Sequence, residues 1–298
     1  MSDLVTTAAE SRQRFLDLVA DVRPELHRYC ARMTGSVFDG EDVVQDTLAK
    51  AWFALAEMDA TPPLRPWLFR IAHNASMDFV RRYEYRNLDA DADPEMAADM
   101  MAARDRDAHE PDGDLVETAL KVFAALSPVQ RSALALKDVL SLSLEETADT
   151  MGLSVAAVKG ALVRARANVA KARTSGAAAV VDDERLRKYA LLFNARDWDG
   201  LRAVFGEETR LDVISRYTVR GPAASAYFTK YAEIMPVENL RAVAGAVAGV
   251  PVIAMFRPAA STSAAYFVRL EWGDERVAHV RDFRYVPYIG EGAEFVAS

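Results

Sequence analysis

The side chains best suited to chemistry in this sequence are basic ones, clustered on one predicted helix. From Ser154 to Arg173 the sequence has five basic residues and no acidic one; the five are Lys159, Arg164, Arg166, Lys171 and Arg173. A helix of this kind presents cations to phosphates, and its first residues can reach base edges in the major groove of DNA. The same charges also suit the solvated face of a generic helical hairpin, so the surrounding elements have to discriminate.

Those elements carry strong helix-start signals. Ser127-Pro128-Val129-Gln130 joins a capping box to a proline in the first turn, and Ser143-Leu144-Glu145-Glu146 is a second capping box. Met151-Gly152-Leu153 then predicts a tight turn, after which Ser154 caps the basic helix. A short helix, a glycine turn and a basic second helix predict a helix-turn-helix, which favours DNA binding over the generic hairpin.

Two further helices carry polar clusters. A helix from Gly40 to Trp52 has acidic and amide side chains crowded into its first turn, which suits the helix dipole. Another is predicted from about Pro66 to Arg86. Its last turns, from Arg81 onward, interleave basic and aromatic residues. That pattern fits a solvated helix end as well as a nucleic-acid contact.

Length and composition bound the function. The 298 residues suit two or three domains, and a chain that is 51% hydrophobic and 27% charged is not globally disordered. The longest uncharged apolar run, 242–256, is too short and too broken by glycine and proline to span a bilayer. Without a signal-like N-terminus, we expect a cytoplasmic protein that contacts no membrane. The single cysteine, Cys30, excludes an intramolecular disulfide framework, and no metal or cofactor is expected.

The net charge of −8 argues at first against a nucleic-acid partner. Its distribution changes that interpretation. Residues 89–114 contain ten acidic and two basic residues, a net charge of −8, whereas residues 115–174 contain eight basic and five acidic ones, a net charge of +3. We interpret 89–114 as a flexible acidic linker between two helical domains, 10–88 and 115–174.

Both helical domains resemble parts of the extracytoplasmic-function (ECF) sigma factors of the sigma-70 family. The motifs that resemble sigma region 2 are Gly40 to Thr47 with Ala51-Trp52, Pro66 to Asn74, and Asp78 to Arg82. The motifs similar to sigma region 4 are Ala125 to Arg131, Leu144 to Ala148, and Gly152 to Lys159. The resemblance implies a factor that gives core RNA polymerase its promoter preference.

The resemblance also implies roles for individual residues. The core-polymerase contact, on the clamp coiled coil of the β′ subunit, would be made by Asp42, Val43, Val44, Gln45 and Asp46. The stretch from Trp67 to Arg82 would melt and read the −10 element, with Asn74 holding a flipped base and Arg81 and Arg82 contacting phosphate. The −35 element would be contacted by Ser154, Lys159, Arg164 and Arg166. Core polymerase, through its β′ and β subunits, and promoter DNA are thus the expected partners.

Residues 182–298 continue beyond these two domains. Helices are predicted over Arg185 to Ala195, Asp197 to Phe205 and Pro222 to Met235, and strands over Glu208 to Ser215, 239–247, 250–257, 264–272 and 276–286. The order of these elements, with the motif Asn194 to Trp198, resembles the SnoaL-like (nuclear transport factor 2-like) α+β cone with a curled antiparallel sheet. The fold class expected is two all-α domains followed by an α+β cone. The resemblance implies a regulatory domain, with a small ligand or a protein as effector.

A catalytic cone is the alternative to a regulatory one. SnoaL-like cyclases and isomerases use an acid–base pair inside the cone, for which Asp212, His279 and Asp282 are the available candidates. We expect His279 to be a hydrogen-bonded strand residue, and Asp282 to form a surface ion pair with Arg281 or Arg284. We therefore predict that the protein is not an enzyme. The other alternative is a stand-alone helix-turn-helix regulator that responds to a ligand and binds DNA without polymerase.

Overall fold

The computed structural model describes residues 13–58, 60–87, 120–172, 183–290, 293 and 295–298. Its contacts divide the chain into two compact units, Met1–Ser175 and Gly176–Ser298. The predicted acidic linker, 89–114, lies outside the described residues. Within the described residues, no helix is both long enough and apolar enough to cross a membrane.

The first unit is helical and has two halves. The first half contains helices α1 (13–19), α2 (Arg23–Thr34), α3 (Val37–Ala56) and α4 (Leu64–Asn87). The second half contains α5 (Leu120–Ala124), α6 (Pro128–Leu134), α7 (Leu144–Met151) and α8 (Val155–Ala172).

The start of α3 and its packing against α2 depend on three residues. The Ser36 hydroxyl accepts a hydrogen bond from the backbone N–H of Asp39, so α3 begins earlier than the predicted Gly40. Gly40 lies directly against α2, where a Cβ atom would be 2.6 Å from the backbone of Ala31. The absence of a side chain at Gly40 therefore lets the two helices pack closely.

The N-cap residues predicted for the second half are confirmed in the structure, and one of the two predicted capping boxes is shown in full. Ser143 and Glu146 form the reciprocal capping box at the start of α7. The Ser127 hydroxyl accepts from the backbone N–H of Gln130 at the start of α6. Sequence patterns did not predict the π-helical turn, Ala135–Val139, that continues α6. Gly152 adopts a left-handed conformation with φ 64° and ends α7, as the turn required.

One hydrophobic core runs through both halves of the first unit. Tyr29 and Phe69 from the first half and Leu134 and Val158 from the second are fully buried members of the same cluster. The two halves are therefore packed together as one folded body.

The second unit combines helices with a mixed sheet. Its helices are α9 (Glu184–Asn194), α10 (Trp198–Val204), α11 (Pro222–Ser225) and α12 (Tyr227–Glu238). Its strands are β1 (Phe205–Val213), β2 (Tyr217–Arg220), β3 (Arg241–Val247), β4 (Val250–Phe256), β5 (Tyr266–Trp272), β6 (Val277–Asp282) and β7 (Phe295–Ala297). The strand order is β2-β1-β6-β5-β4-β3-β7.

One strand pair departs from the expected antiparallel sheet, since β1 and β6 are parallel. The strands β3 to β6 follow one another as antiparallel neighbours, and this meander brings β6 back beside β1 in the same direction. Strands β2 and β7 were not predicted. They are only 4 and 3 residues long, which is too short for an alternating pattern to stand out.

The motif from Asn194 to Trp198 is structural. The Asn194 side chain donates to the carbonyl of Ala242 and accepts from its N–H, at 2.8 and 2.9 Å, which ties the end of α9 to β3. Asp197 caps α10 by accepting from the N–H of Gly200. Trp198 packs edge-on against Phe193 at 5.6 Å between ring centroids. The motif thus fixes the corner between two helices and the sheet.

The strand β7 closes the β3 edge through a glycine. A Cβ atom at Gly245 would lie 2.3 Å from the carbonyl oxygen of Val296 and 2.5 Å from the ring of Phe295. The Phe295 ring crosses β3 at this point and reaches Phe256 and Phe267, at 6.3 and 6.2 Å between centroids. Only glycine leaves room for this ring.

Candidate nucleic-acid and polymerase interface

The helix α4 separates a buried face from a polar one. Leu68, Ala72 and Ala75 point into the core, while Asn74 and Asp78 are exposed. Arg81 follows Asp78 by three residues, so the three polar side chains share one face at helical spacing. Trp67 is half-buried and packs against the core.

The two arginines at the end of this face are free to move toward a ligand. Arg81 lies 3.9 Å from the carboxylate of Asp78, and both side chains are largely exposed. Arg82 donates from Nε to the backbone carbonyl of Asp78 at 3.2 Å. Tyr83 is 58% exposed and stacks on Phe79. Exposed cations beside an exposed aromatic ring suit a nucleic-acid strand.

A cavity of about 470 Å³ lies between this polar face and the helix-turn-helix. One wall is formed by α4 and the other by the second half of the unit; the lining residues are His73, Asn74, Met77, Asp78, Arg81, Val129, Met151 and Leu153. Met151 and Leu153 flank the glycine turn of the helix-turn-helix. The residue expected to hold a flipped base therefore faces the other DNA-binding element.

A buried polar cluster joins the halves next to this cavity. The Tyr29 hydroxyl lies 2.9 Å from both Nδ1 of His73 and Oγ of Ser132, and Ser132 Oγ lies 3.0 Å from the same nitrogen. Burial, with a smaller contribution from Arg81, lowers the pKa of His73 from 6.5 to about 4. His73 is therefore a neutral hydrogen-bonding group between the two halves at physiological pH.

At the start of α8 the structure exposes the residues expected to meet DNA. The Ser154 hydroxyl accepts from the N–H of Ala157 at 3.2 Å, which confirms its capping role. Lys159 is exposed one turn later, on a face with Ala156. This helix start is the part that can enter a groove.

Arg164 and Arg166 lie deeper in the unit. Arg166 donates two hydrogen bonds to the carboxylate of Asp138, both at 2.9 Å, and Arg164 is half-buried. The bidentate pair joins α8 to the π-helical turn. The primary contact of Arg166 is thus within the protein.

The expected polymerase-binding residues divide between two faces of α3. Val43 and Val44 are buried in the core. Asp42 and Gln45 are half-buried, and Asp46 is exposed and paired with Lys50 at 2.8 Å. The two valines position the helix and Asp46 faces outward, whereas the amide nitrogen of Gln45 is buried.

Sequence reasoning missed one outward residue, Phe53. Its side chain is 71% exposed, on the same face as Asp42, Asp46 and Ala49. The spacing 42, 46, 49, 53 follows a 4-3-4 rhythm, which is the stripe that one helix presents to another. That spacing is present in the sequence, but a phenylalanine next to Trp52 is typical of a hydrophobic core.

The acid–base candidates of the second unit lie on opposite faces of the sheet. Asp212 aligns with Arg281, its neighbour on β6, and His279 Nε2 donates to the Asp212 carboxylate at 2.7 Å. Asp282 is one residue further along β6 and points inward. The three groups therefore do not converge on one site. His279 is the hydrogen-bonded strand residue that we expected.

The expectation of a surface ion pair at Asp282 is wrong. Asp282 is 1% exposed, and its Oδ2 accepts from the hydroxyls of Tyr227 and Tyr231 at 2.6 and 3.1 Å. Its Oδ1 accepts from the backbone N–H of Arg284 at 2.8 Å. Burial raises the pKa of this carboxyl even though these hydrogen bonds oppose the shift.

The pKa of Asp212 is shifted in the opposite direction. Burial opposes ionisation there as well, but hydrogen bonds from Arg210, Thr218 and His279 outweigh it and lower the pKa of the carboxyl. The described residues contain no group of three His, Cys, Asp or Glu side chains arranged to hold a metal ion.

Comparison with protein-family models gives two matches. The model for Sigma-70 region 2 matches residues 18–85, and the model for Sigma-70 region 4 matches residues 117–169. The first covers α3 and α4, and the second covers the helix-turn-helix.

Individual relatives agree. The chain is 30% identical to the ECF RNA polymerase sigma factor SigG of Mycobacterium tuberculosis, over 93% of this chain and 82% of that protein. It is 31% identical to the RNA polymerase sigma factor CnrH of Cupriavidus metallidurans, over 56% of this chain and 90% of that protein.

Solved structures with similarity include CnrH in complex with the cytosolic domain of CnrY, which is 31% identical with a TM-score of 0.39 over 58% of this chain and 97% of that one. The Mycobacterium tuberculosis sigma factor SigJ is 19% identical with a TM-score of 0.36, over 91% of this chain and 98% of that one. From the two family matches and the nearly full-length similarity to SigG, the chain belongs to the ECF RNA polymerase sigma factors.

Proposed function

We propose that this protein directs promoter-specific transcription initiation by core RNA polymerase, with the polar face of α4 and the start of α8 as its DNA-reading surfaces. As an ECF sigma factor it binds core polymerase and promoter DNA. The carrying observation is that α4 turns Asn74, Asp78 and Arg81 to one exposed face over a buried core.

The −10 contact is assigned to α4. The amide of Asn74 can donate and accept, which suits the edge of an extruded base. Arg81 and Arg82 supply cations for the backbone of the same strand, and Tyr83 offers a ring for stacking. Trp67, at the other end of the helix and half-buried, supports this face.

The −35 contact is assigned to the start of α8. Ser154 and Lys159 lie on its exposed first turns, and Lys159 supplies a cation to phosphate or to a base edge. Arg166 contributes by fixing the angle of the helix through its ion pair with Asp138. Arg164 lies between the exposed first turns of α8 and this ion pair. The basic residues of α8 thus serve two purposes: Lys159 contacts DNA, and Arg166 holds the helix in place.

Core polymerase binding is assigned to the outer face of α3. Asp42, Gln45 and Asp46 give this face acidic and amide groups, and Phe53 adds an exposed aromatic ring. Aromatic residues are enriched at the centre of protein interfaces, and charged residues such as these are typical of the polar rim. Its function places the protein in the cytoplasm, where polymerase and DNA meet.

We assign the second unit a regulatory, non-catalytic role. Asp282 lies on the opposite face of the sheet from Asp212 and His279, and the latter two are hydrogen-bonded to each other, so the three candidates do not converge on one site. The interior acid is already occupied by two tyrosine hydroxyls. A unit of this kind acts by binding a small ligand or a protein.

Run-off transcription tests the proposal. The full-length chain and core polymerase are incubated with a pool of genomic fragments, and transcript starts are mapped; we expect discrete starts that core polymerase alone does not give. Asn74→Ala and Lys159→Ala should lower specific initiation. Lys230→Ala, which removes an exposed lysine of the second unit, is the matched control and should not. Transcripts without preferred starts contradict a sigma function.

A further inference from the structure

The cavity between α4 and the helix-turn-helix has the make-up of a small-molecule site. Its volume of about 470 Å³ lies within the range of about 300–1,000 Å³ that such sites occupy. Among the described residues that line it, four are apolar: Met77, Val129, Met151 and Leu153. The other four are polar and all belong to α4: His73, Asn74, Asp78 and Arg81. Apolar walls with a few polar groups on one side suit a planar ring that has a polar edge.

Three of the polar side chains form a row along α4. Asn74, Asp78 and Arg81 follow one another at intervals of four and three residues, so they share one face of the helix. The helix rises about 10 Å from the first to the last of them. This rise is comparable with the length of a nucleotide from its base to its phosphate. All three side chains are exposed, so the cavity is open to solvent along this row and a ligand can enter without any movement of the two halves.

The fourth polar side chain, His73, supplies a buried hydrogen-bonding group. His73 is 8% exposed, and its Nδ1 lies 2.9 Å from the Tyr29 hydroxyl and 3.0 Å from the Ser132 hydroxyl. When Nδ1 accepts a hydroxyl proton, the ring proton is on Nε2. That second nitrogen has no hydrogen-bond partner among the described residues, and the ring lines the cavity. A buried donor without a partner is costly, so an acceptor atom of a ligand would satisfy it.

The two charged side chains of the row can both turn toward a ligand. Arg81 and Asp78 are 3.9 Å apart and largely exposed, and an ion pair of this kind contributes little, so either group can leave it at small cost. A guanidinium such as that of Arg81 suits a phosphate. The Asp78 carboxylate offers two adjacent acceptors, which match the adjacent N1–H and N2–H donors of guanine. Adenine presents one donor beside the lone pair of its N1, and that lone pair would face a carboxylate oxygen.

We propose that this cavity binds a guanine nucleotide, with Asp78 accepting from N1–H and N2–H of the base and Arg81 bound to the phosphate. His73 and Asn74 supply donors for the base acceptors O6 and N7, and the base packs on the two methionine side chains, whose sulfurs favour contact with aromatic rings. The binding itself is independent of the sigma function. Its consequence rests on the proposed function, because Asn74 and Arg81 cannot hold a free nucleotide and a promoter strand at the same time.

Calorimetric titration of the full-length protein tests the proposal. The protein, without polymerase or DNA, is titrated separately with GMP, AMP and guanosine. We expect saturable one-to-one binding of GMP. AMP should bind about tenfold more weakly, because it cannot donate two hydrogen bonds to the carboxylate, and guanosine should also bind about tenfold more weakly, because it lacks the phosphate.

Four variants assign the contacts. Arg81→Ala should weaken GMP binding about tenfold and leave guanosine binding unchanged, because it removes the phosphate contact alone. Asp78→Asn should reduce the preference for GMP over AMP, since an amide cannot accept from both N–H groups. Val129→Trp places a large ring in the cavity at a position that is 40% exposed, and should block GMP and guanosine alike. Arg14→Ala removes an exposed arginine of α1 that does not line the cavity, and as the matched control it should bind GMP like the parent.

The proposal is overturned if GMP shows no saturable binding up to about 1 mM, or if AMP binds as tightly as GMP. It is also overturned if Arg81→Ala weakens GMP binding no more than Arg14→Ala does. The exposed side chain of Arg81 supports no part of the core, so this comparison remains decisive even if Val129→Trp fails to fold. The titrations contain no polymerase and no promoter. Failure of the nucleotide site and failure of the sigma function are therefore distinguishable.

Discussion

The Asp138 carboxylate accepts two hydrogen bonds from the Arg166 guanidinium, and the pair fixes the basic helix α8 against the π-helical turn before the helix-turn-helix. Both bonds are 2.9 Å long, and the two side chains are 14% and 32% exposed. A bidentate pair of this kind holds a helix in angle as well as in place.

Arg166→Ala should lower the free energy of unfolding of the first unit by about 1–3 kcal/mol, because Asp138 loses a charged hydrogen-bonding partner. Arg166→Lys should be intermediate, since an ammonium cannot match both carboxylate oxygens. Thermal unfolding gives the stability. Well below the transition, −35 duplex affinity should fall less in Arg166→Ala than in Lys159→Ala. The reverse order would return Arg166 to direct DNA contact.

Gly40→Ala should destabilise the first unit by about 2 kcal/mol or more, because the new methyl group would collide with the backbone of Ala31 and force α2 and α3 apart. Gly160→Ala in α8 is the matched control. Its methyl group would meet only the Arg164 guanidinium at 3.5 Å, so helix propensity should stabilise it by up to about 1 kcal/mol. Chemical denaturation measures both, and equal effects would refute the close approach.

Phe53→Ala should weaken binding to core polymerase about tenfold, since an exposed aromatic residue at the centre of an interface often contributes that much. Folding should be unaffected because the ring is 71% exposed. Leu191→Ala, which trims a 69% exposed residue of the second unit, is the control. Affinity is measured by titrating labelled protein with core polymerase. Equal affinities for both variants would remove Phe53 from the interface.

Asp282→Asn should flatten the pH dependence of stability in the second unit. The pKa of Asp282 is raised in the folded state by burial, so its contribution is present at low pH and is lost as the pH rises above 3.8 and through the folded value. Asparagine does not titrate, and this loss should disappear. The measurement is hydrogen exchange at the amides of β6 in the full-length protein between pH 4 and pH 8. After correction for the intrinsic exchange rate, it gives the local stability at each pH.

Asp212→Asn is the counterpart with the opposite sign. The pKa of Asp212 is lowered, so its contribution is present above 3.8 and is lost as the pH falls below that value. This variant should lose protection at neutral pH and little under acid conditions. The same pH profile for both variants would contradict the opposite pKa shifts of the two carboxyls.

Local signals in the sequence predicted the helices well. Ser143 and Ser154 cap the helices that their patterns predicted, because a cap is formed within four residues. The contacts between the halves could not be predicted in this way. Tyr29 and Ser132 are 103 positions apart, and no periodicity encodes a hydrogen bond between two distant helices.

The prediction that Asp282 lies on the surface was wrong for a different physical reason. Between Val277 and His279 the register of β6 shifts against β5, so Val277 and Val280 both reach the core although they are three residues apart. Strict alternation would place them on opposite faces. An irregularity of one residue is invisible in composition, yet it decides that Asp282 is buried.

The shared core of the first unit indicates whether its two halves need the chain between them in order to stay associated. Tyr29, Phe69, Leu134 and Val158 bury against one another across the boundary, so association of the halves does not depend on the peptide link between residues 87 and 120. A nick in that link should leave two fragments that co-elute as a non-covalent pair. In the uncut chain, by contrast, the two halves stay joined, so any re-association is intramolecular and its rate does not depend on protein concentration.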